Sequence, residues 1–130
     1  MIVLDTHSWI WWLDDSTRLS DRARETIGSA TTIVVSSISV WEVALLVKRG
    51  RMRLDKPTAV WINSAFGSDS RMREIPLDGA IALRATDLED RGFVRDPADR
   101  FIFATAEHFD APIVTRDARM HEFDSARAFW

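Results

Sequence analysis

Apolar positions along the chain fall into two rhythms. Ile2-Val3-Leu4, Thr32 to Val35 and Pro112 to Thr115 are short, continuous apolar runs with β-branched residues. That pattern belongs to strands buried on both faces of a parallel sheet. Between them lie longer stretches with helical spacing. Thr6 to about Asp14 puts Trp9, Ile10 and Leu13 on one face, and Trp11 and Trp12 widen it. Three tryptophans are more than one buried stripe needs, so one or two are expected to face a partner. Ser20 caps a helix to about Ser29, with Ala23 and Ile27 inward. Ser36 or Ser37 caps a helix that carries Ile38, Val40, Trp41, Val43 and Leu46 and stops at Gly50. It is apolar nearly all round, which predicts a largely buried helix. Pro57 opens a helix ending near Gly67, and Asp78 caps one ending before Gly92. Asp96 with Pro97 is a strong helix start, and Ala98, Phe101, Ile102, Thr105, Ala106 and Phe109 form its inner face. Ile75-Pro76-Leu77 is read as a third strand or extended segment, and Asp124 to Trp130 as a weak edge strand. Strands alternating with helices predict an α/β fold built on a parallel sheet.

Length and composition narrow this picture. A chain of 130 residues is expected to be one domain, spanning 1–130, with a sizeable core. No cysteine is present, so disulfides and thiolate metal sites are excluded. The N-terminus lacks a basic region followed by a long apolar stretch, and no apolar run reaches the ~18 residues a membrane span needs. A cytoplasmic protein without a membrane association is expected. The net charge of −3 counts mildly against a nucleic-acid partner. That argument weakens if several acids hold cations.

Four acids share such a context. Asp5 ends the first strand and Asp117 follows the fourth. Glu42 is the only charge between Ile38 and Val47, where a carboxylate is costly unless paired, protonated or metal-bound. Asp99 is the third residue of its helix and projects from the rim where strands end. Asp5 is equally well placed to cap the following helix, and Asp96 is read as a cap. In α/β sheets ligands bind beyond the carboxyl ends of the strands, and a right-handed βαβ order brings all four points to one edge. Clustered carboxylates repel one another, and hard divalent cations remove that cost. Carboxylate donors without cysteine or clustered histidine suit Mg2+ or Mn2+. Ions ~3.5–4 Å apart can activate water and stabilise both oxygens of a phosphodiester displacement. His7, His108 and His121 are scattered, and no nucleophile with a base partner is evident. His7 adjoins Asp5 closely enough to contact substrate, though a surface histidine is the simpler reading. Lys48, Arg49, Arg51 and Arg53 are read as a solvated helix end.

The chain resembles PIN-domain ribonucleases, specifically the VapC-type toxins of bacterial toxin–antitoxin pairs. The matching pieces are Ile2-Val3-Leu4-Asp5-Thr6-His7, Ser36-Ser37-Ile38-Ser39-Val40-Trp41-Glu42, Asp96-Pro97-Ala98-Asp99-Arg100 with Ala104-Thr105-Ala106, and Val114-Thr115-Arg116-Asp117. They run in the family's order over almost the whole chain. The resemblance implies an α/β/α sandwich with a short central parallel sheet, and metal-dependent RNA cleavage. It carries over Asp5, Glu42, Asp99 and Asp117 as the acidic quartet, binding one or two Mg2+ or Mn2+ ions, with Glu42 a ligand or base. Asp96 is a further acid nearby, and Thr6 and Thr115 match positions that support the site through their hydroxyls. Arg95, Arg100, Arg116 and Arg119 are candidates to hold neighbouring phosphates, against the simpler reading that each pairs with an adjacent Asp. The resemblance also implies a homodimer and a cognate antitoxin that reaches the acidic pocket with a basic side chain. The tryptophans between Trp9 and Trp12 would suit its groove. His7 stands where many relatives have a smaller residue. Two other readings compete: a non-catalytic partner-binding module whose acids are caps, and a haloacid-dehalogenase-like phosphatase with Asp5 as nucleophile. The second lacks an acid two positions after Asp5, where His7 stands.

Overall fold

The continuous apolar runs pair side by side. The computed structural model describes residues 1–130. Strands β1 (Ile2–Leu4), β2 (Ile33–Ser36), β3 (Met72–Ile75), β4 (Ile113–Val114) and β5 (Ala128–Phe129) form one sheet in the order β3-β2-β1-β4-β5. Every pairing is parallel. Helices α1 (Thr6–Leu13), α2 (Asp21–Ser29), α3 (Ser37–Lys48), α4 (Thr58–Gly67), α5 (Gly79–Asp90), α6 (Pro97–His108) and α7 (Ala118–Phe123) cover its faces.

Successive strand residues face opposite ways, so the sheet divides the core in two. Val3, Val34 and Ile113 pack with Ile81, Leu88, Ile102 and Phe103 of α5 and α6. Ile2, Leu4, Ile33 and Val35 pack on the other face with Trp9 of α1, Ile27 of α2 and Ala65 of α4. Trp9 is wholly buried there against Trp61 and Phe66, with ring centroids 5.6 and 5.2 Å away. It is core, whereas Trp11 and Trp12 are only partly buried.

The register positions the chemistry. Leu4 aligns with Val35 on one side and with Val114 on the other. The carboxyl ends of β1, β2 and β4 are therefore level. Chain direction through the sheet reverses between β1 and β4, since β2 and β3 lie on one side and β5 on the other. That is a topological switch point, where α/β folds open a crevice for ligands.

Three elements differ from the sequence-based expectation. β3 runs over Met72–Ile75 and ends before Pro76, because its N–H groups pair along β2 and proline has none to give. Helix α3 buries only Ser39 and Val43 fully, and Trp41 is 54% exposed. Ile38 packs at the edge of one core and Val40 and Leu46 at the edge of the other, all three only partly buried. Helix α7 was not expected; its six residues are too few for a periodicity to show.

Candidate active site

The four acids reach the crevice by three local devices. Asp5 follows β1 and caps α1, its Oδ1 accepting the Ser8 N–H at 2.7 Å. Asp117 follows β4 and caps α7, accepting the Arg119 N–H at 2.8 Å. The Thr115 hydroxyl accepts the Asp117 N–H at 3.0 Å, which fixes the turn out of β4. Asp99 stands in the first turn of α6, and Glu42 in the middle of α3. The side chains line one cleft of about 480 Å3. Thr6, His7, Trp11, Arg95, Ile102, Arg116 and Met120 complete its walls.

Thr6 Oγ1 lies 2.9 Å from Ser39 Oγ and also bonds a Glu42 carboxylate oxygen. A hydroxyl owns one proton, so Thr6 donates to the carboxylate and accepts from Ser39. Arg95 bridges Asp99, at 2.8 Å, and Asp117.

Burial pushes the Asp5 carboxyl up, and the Thr115 hydroxyl and Ser8 N–H offset this in part. Burial also raises Glu42, with Thr6 opposing and the negative charge of Asp99 adding to the rise. Asp99 is raised by burial as well, against the attraction of Arg95, with Asp117 and Asp96 adding repulsion. Each of the three would be more at ease with a cation nearby.

The donor set consists of hard carboxylate oxygens whose negative charge Arg95 offsets only in part, which fits a divalent cation such as Mg2+ or Mn2+. The side chains do not yet form a closed cage: no three acidic or histidine groups converge tightly enough to ligate one ion as they stand. The reason is visible, since Asp5 and Asp117 each spend an oxygen on a helix cap and Arg95 holds Asp99 and Asp117.

The other residues singled out in the sequence divide. Asp96 is exposed and caps α6 through the Ala98 N–H at 3.0 Å, outside the cleft lining. Arg100 pairs with Glu89 and does not line the cleft. Arg116 lines the cleft and is exposed. Arg119 lies on a neighbouring concavity with Phe93 and Phe123. His7 lines the cleft and its ring lies 5.6 Å from that of Trp11, which is in turn 5.6 Å from Trp130. Two features escape sequence reasoning here: the Arg95 bridge and the Trp11 wall. The four-residue spacing of Arg95 and Asp99 was the only signal for the first.

A short parallel sheet with four acids at its switch point defines a class, and the chain matches the PIN domain family over residues 2–126. The chain belongs to the PIN-domain family. Among its relatives is ribonuclease VapC22 of Mycobacterium tuberculosis (strain ATCC 25618 / H37Rv). The two are 33% identical over 119 residues, covering 92% of this chain and 88% of that one. The fold is shared with a toxin–antitoxin complex from Klebsiella pneumoniae, with a TM-score of 0.70 at 18% identity over 100% of this chain and 97% of that one. It is also shared with the toxin VapC20 of Mycobacterium tuberculosis, with a TM-score of 0.64 at 18% identity over 97% and 95%.

Proposed function

We propose that this chain is a metal-dependent endoribonuclease, the VapC-type toxin of a toxin–antitoxin pair, hydrolysing RNA phosphodiester bonds at the acidic cleft. The observation that carries this reading is the convergence of Asp5, Glu42, Asp99 and Asp117 on one cleft at the sheet's switch point. The relationship to ribonuclease VapC22 supports it. Asp5, Asp99, Asp117 and Glu42 would hold one or two Mg2+ or Mn2+ ions. Such an ion supplies a lowered pKa for bound water and charge neutralisation at the phosphate. Glu42, steadied by Thr6, is a ligand or accepts the proton of the attacking water. Arg116 at the cleft wall holds a neighbouring phosphate, and the Thr115 hydroxyl fixes the approach of Asp117.

The partners follow from the same reading. A cognate antitoxin closes the cleft with a basic side chain, and two copies of the chain associate. The exposed apolar side chains Trp41 and Val60 offer surface that association would cover. The chain acts as a single PIN domain in the cytoplasm, and no helix is long and apolar enough to cross a membrane.

The partner-binding module keeps one point in its favour: Asp5 and Asp117 do cap helices. Glu42 and Asp99 cap nothing, however, and both are half-buried. Caps alone do not explain why they face the other two. The test is incubation of the purified protein with total RNA in Mg2+, in Mn2+ and in EDTA. Cleavage with either metal and none in EDTA is expected; cleavage unaffected by EDTA would refute the metal-dependent mechanism.

A further inference from the structure

Arg95 lies in the connection between α5 and α6, one residue before the Asp96 cap. Its two ion pairs join acids from separate elements, Asp99 in α6 and Asp117 after β4. Both are made through the same nitrogen, Nη2, to the Oδ2 atom of each partner. A single positive nitrogen between two carboxylate oxygens fills the position a bridging cation would take. A guanidinium in a site shaped for it uses its planar fork, with two parallel bonds to one carboxylate. Arg95 does not: one nitrogen serves both acids, while its Nε is buried without an acceptor. The side chain is only 17% exposed, so that orphaned donor is not repaid by water. Nη2 donates to Asp117 and also holds Asp99, and neither carboxylate receives the two parallel bonds of a fork. A partner offering more charge to the acids, and one offering a better acceptor to Arg95, would both favour its release.

We propose that Arg95 is the built-in counter-ion of the cleft. It occupies the cation position between Asp99 and Asp117, yields that position to a divalent metal, and its guanidinium then faces an RNA phosphate at the cleft mouth. This exchange presupposes the metal-dependent ribonuclease reading above. A divalent ion brings twice the charge to the same two oxygens. A phosphate gives the freed guanidinium the two-pronged acceptor that the acids deny it. Metal and RNA therefore assist each other: RNA draws Arg95 off the acids, and metal keeps it off. By linkage each raises the affinity of the other by the same factor. Arg95 is a positioning residue in the metal-free cleft and a substrate contact in the loaded one.

The test is calorimetric titration of Mn2+ into the native chain, Arg95→Met, Arg95→Gln and Arg95→Lys, without RNA. Met keeps the aliphatic stem and Gln a polar end, so at least one neutral variant that folds is available. Removing the competing charge should tighten Mn2+ binding about tenfold in either neutral variant. Arg95→Lys should stay close to native, because an ammonium still competes. The neutral variants should at the same time cleave RNA more slowly than native protein at saturating metal. Tighter metal binding combined with slower cleavage is a pairing that mere structural damage would not produce. If the native chain binds Mn2+ and the neutral variants bind it equally or more weakly, the counter-ion role is overturned while the metal site stands. If no folded form binds Mn2+ or Mg2+, the metal reading itself falls and the exchange falls with it.

Discussion

Thr6 Oγ1 stands between Ser39 and Glu42 with one proton to give, and Glu42 is the acid most dependent on it. Thr6→Val keeps the shape and removes the donor. Glu42 should then titrate higher still, and the acidic limb of the pH profile for RNA cleavage should move to higher pH. The loss of this buried bond should also cost about 1–3 kcal/mol of stability, measured by urea unfolding. An unmoved acidic limb would mean that Glu42 does not set it. At this scale the acids were legible because Asp5 and Asp117 stand where an apolar run stops, Glu42 where one is interrupted, and Asp99 just inside a clear helix start. Their neighbours were less so. Arg95 meets Asp117 across a gap that no local spacing encodes. Trp9 and Trp11 look alike in sequence, yet one is wholly buried and the other lines the cleft.

Among the elements, α2 and β3 are joined by one side chain. Arg71 Nη1 donates to the carbonyls of Gly28 and Ala30, both at 2.9 Å, at the C-terminal end of α2. Its Nε and Nη2 pair with Asp69 at 2.9 and 2.6 Å. These carbonyls have no partner within the helix, and a cation there also meets the negative end of the helix dipole. Arg71→Ala should therefore lower stability by about 1–2 kcal/mol, discounted for its partial exposure, as read from the urea midpoint. Arg71→Lys should recover little of it, since an ammonium cannot reach both groups in one plane. Strand β1, strand β2 and the Asp96-Pro97 start of α6 were readable from local pattern, because burial on both faces and capping chemistry leave clear traces. β3 was displaced in the reading because its polar Arg73 and Glu74 conceal an edge strand. α3 was read as largely buried because its composition does not reveal that Trp41 and Ala44 are exposed and that most of its other apolar side chains are only partly covered.

For the molecule as a whole, the cleft is a source of instability that a cation should relieve. Asp5, Glu42 and Asp99 all have carboxyl groups raised above their ordinary values, chiefly by burial. Their contribution to stability is full below the ordinary carboxylate range and is lost as pH rises through the raised values. Asp69, lowered by Arg71, works in the opposite direction and loses its contribution as pH falls. Metal ligands must be deprotonated to bind. Added Mn2+ should therefore raise the melting temperature more at about pH 8 than at about pH 5, as followed by thermal unfolding. An equal shift at both would argue against these carboxylates as the ligands. The sheet order that brings the four acids together was not legible locally. The pairing of β1 with β4 joins the two ends of the chain, and only the α/β alternation hinted at it.

The most direct measurement is RNA cleavage by Asp5→Asn beside the native protein, in Mg2+ or Mn2+, with both melting temperatures recorded. Asn keeps an oxygen to cap α1 while removing the charge. The account predicts that cleavage disappears while the fold remains. Native-level cleavage by the purified variant would contradict an acidic metal site at the switch point of the sheet.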